Sequence, residues 1–282
     1  MRVGEALAGT GLAAREARLL LARAGGWSEA SLLAHPERDL PRDIEALFAQ
    51  WVARRRAGEP VAYLLGEREF YGLELDVTPA VLIPRPDTEV LVEQALARIP
   101  VDTEVRVLDL GTGSGAIALA VKCHRPRARV VAVDASGEAL AVARGNARRL
   151  GLEIDFRLGS WCEPLRGERF DVLLSNPPYV AERDPHLGQG DLRFEPRAAL
   201  LGGVDGLDAI RAIVAQARSC MFRGAWLLLE HGFDQAAAAR ALFDDAGFGS
   251  VESWTDLAGN PRVTGARYHR DAQPLTTAGG EH

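Results

Sequence analysis

Lysine is nearly missing from this chain. Lys122 is the only one in 282 residues, so almost all positive charge is arginine, which reflects coding bias, not function. Positive charge is not in excess either: the net charge of −6 argues against a basic surface for duplex DNA, because phosphate contacts dominate nucleic-acid affinity. A local basic patch stays open. Only three cysteines occur (Cys123, Cys162 and Cys220); their odd count and wide separation fit a reducing compartment better than a disulfide framework. No apolar run approaches the ~20 residues of a membrane helix. The first stretch, MRVGEALAGTGLAAREARLLLARAGG, alternates apolar and charged positions and lacks the continuous core of a signal peptide. The six histidines show no ligand spacing, so no metal is expected, and His231 at a strand end reads as structural rather than catalytic. There are no internal repeats. The expectation is a soluble, cytoplasmic, monomeric protein with no membrane or direct nucleic-acid contact.

An apolar fraction of 47% with 26% charged residues is that of a globular chain, long enough for one large domain and a smaller one. Residues 1–66 read as helices only. Leu12, Ala13, Ala17, Leu20 and Leu21 recur at helical spacing, and PRDIEALFAQWVARRRAGEP opens on Pro41 and closes on Gly58 and Pro60. Its arginine run, Arg54–Arg56, is expected to be a solvated helix end favoured by the helix dipole rather than a nucleic-acid contact. Residues 67–84 show short β-like runs punctuated by Gly72 and Pro79, a hairpin-like linker. A helix then resumes near Pro86 and Asp87.

Residues 85–270 form the large domain. The strands expected are VRVLDLG, RVVAVD, IDFRLGS, FDVLLSN, AWLLLEH, SVESWTD and RVTGARYH, with helical stretches separating the first five and another following LLLEH. Such alternation implies a parallel sheet covered by helices on both faces. Only LAGNP joins the last two strands, too little for a crossover helix, so they pair antiparallel. By analogy this is a Rossmann-like seven-stranded α/β arrangement, preceded by a small all-α domain and a β-hairpin linker. Residues 271–282 are expected to be a disordered tail.

VLDLGTGSGAIALA sets Gly111, Thr112, Gly113, Ser114 and Gly115 between a strand and a helix, where glycine allows φ > 0 and close approach of a ligand. A plain strand-to-helix turn is the competing reading. The spacing is G-x-G-x-G, not the G-x-G-x-x-G of a dinucleotide site, and Asp109 before the loop would repel a pyrophosphate but suit a cation. S-adenosylmethionine carries a sulfonium and an ammonium group and no phosphate. Asp134, at the tip of the next strand, stands where a carboxylate grips a ribose diol, although it could also cap the following helix. Trp161 closes the third strand and is placed to lie against an adenine ring, if it is not simply core.

The fourth strand ends in Asn176-Pro177-Pro178-Tyr179. Proline has no N–H and cannot continue a ladder, so this end reads either as a plain stop or as a presentation of acceptors. The second reading suits a planar amino group whose lone pair is delocalised. The Asn176 side-chain oxygen and a Pro177 carbonyl could take its two N–H hydrogens, and Tyr179 could stack on it. Catalysis is then mostly orientation and hydrogen bonds that strengthen as charge develops.

With these motifs, IPRPDTE, DLGTGSG, AVDAS, SNPPY, FEPRAALLGGVDGLDAIRAI and LLLEHG together make the chain resemble the protein-(glutamine-N5) methyltransferases that modify class-1 peptide chain release factors. The similarity covers all but the tail. NPPY alone is shared with DNA adenine-N6 methyltransferases; IPRPDTE upstream sharpens the assignment. The resemblance implies S-adenosylmethionine as cofactor, with Gly111–Gly115 at its methionine moiety, Asp134 on its ribose, Trp161 beside its adenine and Asn176 bordering both cofactor and substrate. It implies that Asn176, Pro177, Pro178 and Tyr179 grip the glutamine of a Gly-Gly-Gln loop, with Arg85 and Glu89 as wall residues. The rivals are a DNA adenine-N6 methyltransferase, which needs a duplex-binding surface and a base-flipping route, and a non-catalytic module that keeps the fold. A nicotinamide dehydrogenase is disfavoured by the loop spacing.

Overall fold

The structure, a computed structural model, describes residues 1–269. The tail expected at 271–282 lies outside the described residues. The chain begins with α1 (Val3–Ala8), α2 (Ala14–Gly25), α3 (Glu29–Ala34), α4 (Arg42–Arg56) and α5 (Val61–Leu65). These helices are individually short for stability in water. They bury Val3, Leu20, Leu21, Leu32, Phe48 and Val52 in a core of their own. The run of arginines that ends α4 is exposed at Arg54 and Arg56, as expected of a solvated helix end, but each side chain is also paired. Arg54 pairs with Glu59, Arg55 with both Glu16 and Asp191, and Arg56 donates to the carbonyls of Thr10 and Gly9. Turn carbonyls and carboxylates thus share the run with water, and Arg55 ties the helices to the large domain.

A hairpin follows, β1 (Glu67–Phe70) and β2 (Leu73–Asp76), antiparallel and turned at Tyr71-Gly72. After a 3-10 turn at Pro86–Thr88 comes α6 (Glu89–Arg98), then β3 (Arg106–Leu110), α7 (Ala116–His124), β4 (Arg129–Asp134), α8 (Gly137–Leu150), β5 (Asp155–Leu158) and β6 (Phe170–Ser175). The chain closes with α9 (Asp208–Ala217), β7 (Met221–Glu230), α10 (Ala236–Asp245), β8 (Gly249–Thr255) and β9 (Pro261–Arg267). No helix of the described residues is long and apolar enough to cross a membrane.

All seven expected strands form one sheet, in the order β5-β4-β3-β6-β7-β9-β8. The first five run parallel, and β8 and β9 pair antiparallel as their short connection requires. Both faces are buried, which is why the strands read as nearly unbroken apolar runs. On β3, Val107 packs into the core of one face, while Leu108 and Leu110 pack into that of the other. One connection departs from the expectation. Between β5 and β6 there is no α-helix, only a 3-10 turn at Glu163–Leu165. Pro164 lacks the N–H a helix interior needs, and the remaining length is taken up by turns that bury Cys162 and Leu165.

The sheet order decides where a ligand can bind. β3, β4 and β5 run outward to one edge, and β6 returns to the other side of β3. The strand order therefore reverses between β3 and β6, where Leu110 is opposite Ser175 and the Ser175 hydroxyl donates to the Leu110 carbonyl (2.6 Å). In open parallel sheets this switch point forms the ligand crevice. The glycine loop leaves from β3 and the NPPY segment from β6, so both open on it.

Asn146, on α8, joins the hairpin to this crevice. Fully buried, it accepts from Asp76 N (2.7 Å) and donates to Asp76 O (3.0 Å) and Ser114 O (2.9 Å). Asn146→Ala strands those three backbone groups and is expected to cost about 3 kcal/mol of unfolding free energy, measured by urea denaturation. A loss below about 0.5 kcal/mol would show that water replaces the amide without penalty.

Candidate active site

A cavity of about 460 Å³ occupies the crevice. It is lined by Gly111–Ser114, Asp134, Ser136, Trp161, Asn176 and Pro178. Gly111, Gly113 and Gly115 all have positive φ (73°, 57° and 86°), which L side chains rarely adopt. A Cβ on Gly113 would meet no protein atom within 4 Å and would project into open space. On Gly115 it would meet Leu119 Cδ1 at 3.0 Å and Ala143 Cβ at 3.3 Å, so that glycine serves the packing of α7 on α8. The loop is clamped to β4, because the N–H groups of Gly111 and Thr112 both donate to Val133 O (2.8 and 3.0 Å).

Asp134 completes the clamp. Its Oδ2 accepts from Gly113 N (2.8 Å) and its Oδ1 from Ser136 N (2.8 Å). It thus holds the turn before α8, whose cap is Ser136, and it also lines the cavity with lone pairs to spare. Asp109 is different. It is fully buried behind the loop and does not line the cavity; Thr112 Oγ1 donates to its Oδ2 (2.6 Å), while its Oδ1 has no hydrogen-bond partner among the described residues. Burial pushes its pKa up to about 7. Trp161 lines the cavity from a left-handed backbone conformation (φ 45°), a strain of about 1–3 kcal/mol for a non-glycine residue.

Asn176 is half-buried at the cavity wall. Its Nδ2 donates to Thr88 Oγ1 (3.1 Å), and no protein donor among the described residues reaches its Oδ1. Pro178 lines the cavity, whereas Pro177 is buried beside it. No N–H among the described residues donates to the Pro177 carbonyl. Tyr179 does not line the cavity: its hydroxyl donates to Glu230 Oε1 (3.2 Å), and burial, then the Glu230 charge, raise its pKa. The loop that precedes α9, with Gln235, explains how two prolines can be held so firmly. Val180 N donates to Leu200 O and Gly202 N to Val180 O (both 2.9 Å), while Gln235 Nε2 donates to Tyr179 O (3.0 Å). A Cβ on Gly202 would lie 2.6 Å from Pro178 O, and one on Gly206 2.3 Å from Tyr179 O. Only glycine permits that approach.

Of the two wall residues expected from IPRPDTE, Arg85 lines the cavity and pairs with the fully buried Glu195 side chain, which also accepts from Ile83 N (3.0 Å). Burial raises the Glu195 pKa, with Arg85 pulling the other way. Glu89 is not a wall residue: its carboxylate accepts from Tyr71 N (3.2 Å) at the hairpin turn, because α6 turns that side chain away from the cavity. His231 is structural, fully buried with Nδ1 on Gly232 O and Nε2 on Thr264 Oγ1 (2.8 Å each). Thr88, Glu195, Gly202, Gly206 and Glu230 were not singled out from the sequence. The glycine pair in LLGGVDG is the one local signal that could have marked a close approach.

The lining suits S-adenosylmethionine. Its charged side chains are Asp134, Glu138 and Arg85, and Arg85 is already held by Glu195, so nothing in the lining is free to neutralise a pyrophosphate. A cationic nucleoside meets open glycine backbone, a carboxylate and an indole ring.

Comparison with known proteins bears on the same residues. The family model described as "Methyltransferase small domain" matches residues 86–190, and that described as "PrmC N-terminal domain" matches residues 4–66. A release factor glutamine methyltransferase of Burkholderia pseudomallei is 52% identical over 270 residues, 93% of this chain and 95% of that protein. One of Pseudomonas aeruginosa is 52% identical over 250 residues, 88% of this chain and 90% of that protein. Among solved structures, a methyltransferase from Pyrococcus furiosus superposes with a TM-score of 0.54 at 17% identity, covering 78% of this chain and 99% of that one, a likeness of fold alone.

Proposed function

Because the chain belongs to the release factor glutamine methyltransferases, S-adenosylmethionine-dependent enzymes, we propose that it methylates the side-chain nitrogen of the glutamine in the Gly-Gly-Gln motif of class-1 peptide chain release factors. The observation that carries this reading is the Asn176 amide, anchored through Nδ2 with Oδ1 free, at the end of a cavity built from the glycine loop and Asp134. S-adenosylmethionine supplies an electrophilic methyl group on its sulfonium. Gly111–Gly115 would hold the methionine end, Asp134 would accept from the ribose hydroxyls, and Trp161 would border the adenine.

The substrate nitrogen is a poor nucleophile because its lone pair is shared with the carbonyl. Asn176 Oδ1 and the Pro177 carbonyl would accept its two hydrogens and orient the nitrogen for transfer. Both bonds strengthen as positive charge develops on nitrogen, so they favour the transition state over the ground state. Holding the two reactants in register can itself supply ~7–11 kcal/mol in favourable cases. Pro178 and Tyr179 keep the segment rigid, so these acceptors cost little reorganisation. Residues 1–66 form the docking surface for the release factor, which a lone glutamine cannot provide. Arg55–Asp191 (2.9 Å) and Arg193–Ala57 O (2.6 Å) join those helices to the segment that follows the NPPY strand end.

Label from S-adenosylmethionine, offered to unmethylated release factor and to DNA lacking adenine methylation in parallel, is expected in the protein alone. Label in the DNA alone would replace this reading with the adenine-N6 one.

A further inference from the structure

Of the three carbonyls that follow Asn176, two are closed off. A Cβ on Gly202 would lie 2.6 Å from Pro178 O, and one on Gly206 2.3 Å from Tyr179 O, so loop 202–206 runs directly against both. The Pro177 carbonyl has no N–H donor among the described residues. Its direction depends on how the segment is held. Proline rings lock φ at residues 177 and 178, which leaves the segment stiff and places most of its remaining freedom at its ends. The upstream end is fixed by β6, where Ser175 pairs with Leu110 on one side and Leu229 on the other. The downstream end has left the seven-stranded sheet and must be held by other means.

Gln235 supplies the hold. The peptide plane between Tyr179 and Val180 is gripped on both sides: Val180 N donates to Leu200 O (2.9 Å), and Gln235 Nε2 donates to Tyr179 O (3.0 Å). The same Nε2 reaches Gly206 O (3.4 Å), and Gln235 Oε1 accepts from Gly232 N (2.9 Å). The amide has one permitted orientation here, because a backbone N–H can only donate and a carbonyl can only accept. One side chain thus joins the end of the NPPY stretch, loop 202–206 and the turn before α10. The start of α10 does not account for it, since the Gln235 side chain makes no capping bond to that helix.

We propose that Gln235 is a positioning residue for methyl transfer, acting through the Tyr179 carbonyl to fix the Pro177 carbonyl and the Asn176 amide against the substrate nitrogen. The inference rests on the reading of those two acceptors given under Proposed function.

The test compares Q235M and Q235E with the wild type. Q235M keeps the length of the side chain and loses both ends of the amide. Its kcat is expected to fall on the order of tenfold to a hundredfold, the effect of a slightly displaced reacting group. Affinity for S-adenosylhomocysteine should change by less than about threefold, because the cofactor's part of the cavity is untouched. Q235E keeps the shape and the acceptor for Gly232 N, but an ionised carboxylate cannot donate to Tyr179 O. Partial burial beside two carbonyls raises the pKa of the introduced carboxyl, so a proton returns as pH falls, and with it one donor. The ratio of Q235E to wild-type kcat should therefore climb as pH is lowered from about 8 to about 6, while that of Q235M stays level. Glu182, Asp205 and Asp208 around the loop, and Glu230, His231 and Asp234 on the same stretch as Gln235, are common to all three proteins, so the ratio removes their contribution. Wild-type turnover in Q235M, a Q235E ratio indifferent to pH, or a loss of cofactor affinity as large as the loss of kcat overturns the proposal.

A second readout uses no release factor. Hydrogen exchange at the Val180 and Gly202 amides, which donate to Leu200 O and Val180 O (2.9 Å each), should quicken roughly tenfold in Q235M. Unchanged exchange refutes the hold on Tyr179. A wild-type enzyme that leaves release factor unmethylated, with exchange altered as expected, refutes the functional reading alone.

Discussion

Replacing Asn176 with alanine is expected to lower the rate of methyl transfer by at least 10²–10³-fold, the range seen when one preorganised transition-state hydrogen bond is removed. The loss should exceed that of an ordinary polar contact for two reasons. The Asn176 oxygen has no protein donor among the described residues, so its capacity is available to the substrate. It also sets the direction of the nitrogen as well as stabilising it, and misdirection alone forfeits much of the orientation advantage. Affinity for S-adenosylhomocysteine, measured by calorimetry, should change by no more than about threefold, since the glycine loop, Asp134 and Trp161 are untouched. Retained turnover in Asn176→Ala would sink the mechanism. A parallel collapse of cofactor affinity would show instead that the residue belongs to the cofactor's site.

Asp134→Ala should do the converse and weaken cofactor binding by roughly 100-fold, about 3 kcal/mol. Two losses combine. The ribose hydroxyls lose a charged acceptor, and Gly113 N and Ser136 N lose the carboxylate that fixes the loop and the start of α8 (2.8 Å each). Asp134→Asn should fall between, because one amide oxygen can still accept from one of these N–H groups. If Asp134→Ala binds the cofactor as tightly as the wild type, Asp134 is only a helix anchor, the competing reading its position always allowed.

The fold was legible where periodicity and chain length carry it. Strands buried on both faces show as runs such as RVVAV and FDVLL, and five residues between β8 and β9 leave no alternative to an antiparallel turn. The connection from β5 to β6 was not, because alternation suggests a helix and only Pro164 with its flanking turns forbids one. The glycine loop, Asp134 and Asn176 announce themselves at strand ends. Their supports do not: Thr88, which accepts from Asn176, and Glu230, which accepts from Tyr179, lie far away in sequence and reach this segment only because α6 and β7 pack beside β6. The sequence likewise names Tyr179 without saying which way its ring points, and its neighbour Glu230 decides that.

The most direct test of the central claim is the mass of a release factor after incubation. Purified, unmethylated class-1 release factor would be treated with this enzyme and S-adenosylmethionine, then weighed intact and fragmented by tandem mass spectrometry. The account predicts a gain of one methyl group for one hydrogen, on the glutamine of Gly-Gly-Gln, and no gain with Asn176→Ala. A methyl group on any other residue, or an unchanged mass while the cofactor still binds, would contradict it.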